Sequence, residues 1–99
     1  MTQKESDFLI EISNLANKCP APSPNPYDLT GYIHACRDYE KILNLVSSAL
    51  QFYAFYSSLK NRPHEEVDMG YVEYCKERAE TNFDELQEFV QQRVKEGWN

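Results

Sequence analysis

The 99-residue chain predicts an all-α fold: a short N-terminal helix, a proline-rich strap, then a long antiparallel helical hairpin expected to complete a bundle by self-association. Three observations carry that expectation. Apolar residues step by three and four through three segments, no useful length of chain alternates with a strand period, and four of the five prolines are gathered in PAPSPNP between the first segment and the second. A chain of this length is expected to be one domain, 1–99, whose modest core removes roughly two-thirds of the unfolded surface from water.

The first helix is expected over 3–18. Thr2 and Glu5 have the spacing of a capping box, and Phe8, Ile12, Leu15 and Cys19 recur at helical intervals. Pro20 cannot continue that helix, since proline lacks an amide donor and its ring clashes with the preceding turn. Pro22, Pro24 and Pro26 repeat the instruction, so residues 19–27 are expected to form an extended polyproline II strap, about 22 Å from Pro20 to Pro26, running back along the first helix or across the bundle.

Asp28 suits an N-cap, and Leu29, Ile33, Cys36, Tyr39, Leu43, Val46, Leu50 and Tyr53 predict a helix over 29–60. Asn61 suits its end. Pro63 suits the first position of a third helix over 64–96, with Glu65 and Glu66 in the turn where the helix dipole favours negative charge, and Gly97 suits its stop. The expected apolar side of that helix is Val67, Tyr71, Tyr74, Cys75, Ala79, Phe83, Leu86, Val90 and Val94. Gly70 and Thr81-Asn82 weaken it, but the spacing passes through 79, 83 and 86 undisturbed, so one continuous helix is expected.

Two features stand above this background. Ile42 to Leu59 is a run of eighteen residues without a charge, twelve of them apolar and placed around the whole helical projection. Six polar residues within it (Asn44, Ser47, Ser48, Gln51, Ser57, Ser58) and the lack of basic flanks argue against a membrane span. One short helix is not expected to wrap such a run, so self-association is expected through Val46, Leu50, Phe52, Phe55, Tyr56 and Leu59.

The second feature is the placement of charge. Residues 1–63 hold six acids and six bases, residues 64–99 ten acids and four bases, so the net charge of −6 resides in the last third. At about 100° per residue, Glu66, Glu73, Glu77, Glu80, Asp84 and Glu88 fall within about 80° of one another, opposite the apolar side. Like-charge pairs such as Glu73/Glu77 and Glu80/Asp84 each cost a helix about 0.2–0.5 kcal/mol, a cost that a basic partner would offset.

Chemistry is scarce elsewhere. Cys19, Cys36 and Cys75 form no C-x-x-C pair and have no metal-like spacing to His34 or His64, which reads as free thiols in a reducing compartment. The N-terminal segment carries Glu5, Asp7 and Glu11 among its apolar residues, unlike a secretory signal, so a cytoplasmic location is expected. No phosphate loop, dinucleotide fingerprint, zinc-protease or calcium motif occurs, so no enzyme, cofactor or metal is expected. Direct nucleic-acid binding is disfavoured by the acidic balance. The leading expectation is a small acidic protein that blocks a basic surface of a macromolecular target: an inhibitor, immunity protein, antitoxin or virus-encoded modulator. Two alternatives stand beside it. One is a helical oligomer that sequesters a small anion at a subunit interface, using Tyr27, Tyr32 or Tyr39 with Lys18, Arg37 and Lys41; the other is a structural assembly subunit.

Overall fold

The structure is a computed structural model that describes residues 3–63 and 65–98. It is all-helical, with α1 over Gln3–Asn17, α2 over Leu29–Leu59 and α3 over Met69–Glu96. Thr2, half of the expected capping box, and His64 lie outside the described residues.

α2 and α3 form the antiparallel hairpin. Asp38 meets Arg93 at the open end (Nε to Oδ2, 3.1 Å), Asn82 Nδ2 donates to Ser48 Oγ at 2.6 Å in the middle, and Phe52 stands edge-on to Tyr74 at 5.8 Å near the connection. Asn82 is buried. A buried amide costs stability unless it is paired, and its bond to Ser48 is available in one register only, so Asn82, which weakens the helix by propensity, fixes the hairpin instead. α3 runs without interruption through it.

α1 packs against one face of the hairpin, antiparallel to α2. Lys60 Nζ donates to Glu5 Oε1 at 2.8 Å, Phe8 stacks on Tyr53 with ring centres 4.2 Å apart and touches Phe83, and Ile12 is buried among Ile42, Ala49, Leu86 and Val90. At about 1.5 Å per residue α1 is about 22 Å long and α2 about 46 Å, so α1 covers only the half of the hairpin next to the connection. The molecule is a rod, 60 × 22 × 18 Å.

The ends of the helices follow local chemistry. Asp28 caps α2 by accepting from the Gly31 amide at 2.9 Å, as expected. Gly97, at φ 131°, ends α3; its amide reaches the Val94 carbonyl and the Trp98 amide reaches the Arg93 carbonyl, the paired bonds of a Schellman motif, while Trp98 folds edge-on against Phe89.

Three expectations are corrected. α3 does not begin at residue 64: the Glu66 amide bonds to the Pro63 carbonyl in a turn, and Asp68 is the N-cap, accepting from the Gly70 amide at 2.8 Å. A carboxylate that satisfies an orphan amide outweighs a proline that merely tolerates the first helical position. The strap does not stay extended to its end, because Asn25 to Asp28 close a turn, with the Tyr27 amide on Asn25 Oδ1 and the Asp28 amide on the Asn25 carbonyl, and proline in its second place suits that turn. Of residues 19–27 only Cys19 and Pro22 are even half-buried. Finally, the charge-free run is not apolar on all sides: Asn44, Ser47, Gln51, Ala54 and Ser58 make an uncharged solvent face, while Ile42 and Ala49 point into the core. Hydroxyls and amides solvate a helix without charge.

Candidate functional site

The site with most to offer a partner is the outer face of α3. Val72, Cys75, Ala79, Asn82, Leu86 and Val90 are its buried residues, and their spacing turns one side of the helix to α2 and α1. Glu73, Glu77, Glu80, Asp84 and Glu88 fall on the opposite side and all five are exposed. Glu66 does not join them, since it lies in the loop ahead of α3, although it too is exposed.

Among the described residues none of these five carboxylates makes an ion pair; the pairs present are Glu5–Lys60, Asp38–Arg93 and Arg93–Glu96. The nearby cations are engaged sideways. Arg78 lies over the Phe52 ring at 5.9 Å, on the face away from α1, and Lys76 lines the cleft between α1 and the hairpin. The face from Glu73 to Glu88 thus presents five negative charges with one cation, Lys76, at helical spacing from Glu73 and Glu80, and no contact ion pair among the described residues.

Sequence reasoning missed what borders this face. Tyr71 and Tyr74, expected in the core, are exposed and stacked at 6.1 Å, and with Phe52, Phe55 and Arg78 they form an aromatic cluster beside the connection. Val72 takes the core position instead. The buried stripe runs through 72, 75, 79, 82 and 86, and at about 100° per residue Tyr71 falls just outside its edge and Tyr74 farther round toward solvent. The Tyr71 hydroxyl, hydrogen-bonded with the Cys75 thiol, titrates above an ordinary phenol. At the far end Glu96 titrates below an ordinary carboxyl, because Gln92 and Arg93 donate to it.

The residues expected to carry self-association are scattered in character. Val46 and Leu50 pack half-buried against the core, Phe52, Tyr56 and Leu59 are half-buried, and only Phe55 is exposed. Of the residues named for anion binding, Lys18 and Lys41 line separate clefts, Lys41 sits over the Phe89 ring at 4.6 Å, and Tyr27 is almost fully exposed on the segment before α2. The cleft of about 250 Å³ between α1 and the hairpin is lined by Lys4, Lys60 and Lys76 but also by Asp7, Glu11 and Glu80, so it has no net preference for either sign. Among the described residues no three His, Cys, Asp or Glu side chains are grouped to hold a metal ion, and no helix is long and apolar enough to cross a membrane.

No family model, curated protein or solved structure matches the chain.

Proposed function

We propose that this chain is a non-catalytic protein-binding module whose α3 face blocks a basic surface of a macromolecular target, as a small inhibitor, immunity protein, antitoxin or virus-encoded modulator does. The observation that carries the reading is the row Glu73, Glu77, Glu80, Asp84 and Glu88, exposed and, among the described residues, in no contact ion pair. Uncompensated like charges along a helix are a standing cost, and a basic surface docked on them converts that cost into attraction. Tyr71 and Tyr74 at the edge of the row add flat rings against which an arginine of the target can stack.

Charge-led contact acts mainly on the association rate. The test is capture from the native cell by the wild type and by a variant with Glu73, Glu77, Glu80 and Asp84 all changed to Gln, followed by association kinetics on the protein recovered. The reading expects the variant to associate at least tenfold more slowly, and wild-type association to slow as salt rises to about 0.15 M, where the Debye length is about 8 Å. An unchanged rate in the variant would leave the row as solvated surface.

A further inference from the structure

The half of α2 that α1 does not cover carries an outward stripe of apolar residues with one charge, Glu40, among them. Leu29 is 62% exposed, Ile33 49%, Tyr39 37% and Leu43 51%, with Cys36 half-buried between them. At 100° per residue these five occupy an arc of about 120° and a length of about 21 Å. On the covered half the outward positions hold Asn44, Ser47, Gln51, Ala54 and Ser58, with Phe55 the one large apolar residue exposed there.

We propose that this stripe is the interface of an antiparallel homodimer, in which a second copy of the chain lays the same half of α2 across it with the two-fold axis at Cys36. The spacing is its own mirror image. Leu29 and Leu43 lie equally far on either side of Cys36, as do Ile33 and Tyr39. Antiparallel pairing about Cys36 therefore sets Leu29 against Leu43 of the second copy and Ile33 against its Tyr39, which is the self-complementarity an isologous contact needs.

Charge agrees. Glu40 falls within the arc, between Leu29 and Ile33 in projection, and Arg37 lies just outside it on the same side; among the described residues neither makes an ion pair. A two-fold antiparallel pairing brings like flank to like flank, and in this register Arg37 lies about 7 Å along the axis from Glu40 of the second copy, within reach of two long side chains. The start of α2 also overhangs the end of α3 by about 9 Å, so Leu29 and Ile33 have no neighbour there from their own α3. The acidic face of α3 points away from α2, so the dimer stands independently of the target-blocking function and would present two such faces.

The test uses the whole chain. Light scattering after size exclusion at tens of micromolar should give twice the monomer mass for the wild type and the monomer mass for Leu43→Glu; that side chain is already half in water, and unchanged far-ultraviolet circular dichroism would show that the variant folds. Oxidation with copper phenanthroline, which accepts two electrons as two thiols lose their protons and join, should give a covalent dimer that Cys36→Ser abolishes and Cys19→Ser does not. A monomeric wild type at 100 µM, a Leu43→Glu variant that stays dimeric, or a covalent dimer that survives Cys36→Ser would each overturn the proposal.

Discussion

The two halves of the hairpin are built from one pair of helices and held in different ways. Next to the connection, α1 makes a third layer: Phe8 on Tyr53 and Phe83, Ile12 in the buried cluster, Lys60 tied to Glu5. Toward the open end only Lys18 and Cys19, just past α1, still touch the hairpin, and α2 and α3 are held mainly to each other, by Arg93 between Asp38 and Glu96, by Lys41 and Arg93 against Phe89, and by Trp98 folded back on that ring. Three-layer packing supplies non-directional burial at about 25 cal/mol per Å², whereas the open end depends on partly exposed ionic and aromatic contacts that each contribute about 1 kcal/mol or less. The half under α1 buries most of its apolar residues, wholly or in part, within the chain, and the open half leaves Leu29, Ile33 and Leu43 exposed.

The comparison can be broken most forcefully where the halves meet. Leu86 is wholly buried in the cluster that joins all three helices, so Leu86→Ala should cost about 2–5 kcal/mol in chemical denaturation. Next comes the register. Asn82→Ala leaves Ser48 facing an apolar space and should cost about 1–3 kcal/mol, and the same change at Asn44, which is exposed, should cost much less in the same assay.

The acidic face should respond with the opposite sign. Changing Glu73, Glu77, Glu80 and Asp84 to Gln should raise the thermal midpoint, gaining about 0.2–0.5 kcal/mol for each like-charge pair removed. A lower midpoint would mean that those carboxylates have stabilising partners. At the open end Asp38→Asn should cost only about 0.2–1 kcal/mol, because both members of its pair with Arg93 are partly in water.

The smallest effect is a pH dependence at Lys60, whose hydrogen bond to Glu5 raises it above an ordinary lysine. A raised folded-state value gives stability that is complete below the ordinary lysine pKa and lost as pH climbs through the raised one. The stability gap between wild type and Lys60→Met should therefore close in the alkaline range and stay level between pH 6 and 8. A gap that widened with pH would contradict the pairing.

Much of this was legible in the residues. Apolar spacing predicted three helices, Asp28 and Gly97 announced their ends, and the acidic face followed from α3 periodicity. What was misread had physical causes. Pro63 with two glutamates resembles a helix start, but Asp68 two residues before Gly70 supplies the stronger cap, which demotes Glu66 to a loop, while Tyr71 and Tyr74 project outside the stripe set by Val72, Cys75, Ala79, Asn82 and Leu86 whichever residue starts the helix. The charge-free run suggested a helix buried all round because the absence of charge was equated with apolarity, whereas serine, asparagine and glutamine face water there. The uncovered surface lies on Leu29, Ile33 and Leu43, and only the reach of α1 decides that; sequence periodicity counts apolar positions and says nothing of which ones a neighbour covers.

Amide hydrogen exchange read along α2 tests the difference between the halves most directly, at a protein concentration low enough to keep the chain monomeric. Amides of 44–59, under α1, should exchange many-fold more slowly than those of 33–43, since opening the covered half must expose the three-helix core and opening the other need only break edge contacts. Equal protection along the whole of α2 would contradict the account, and so would slower exchange in 33–43.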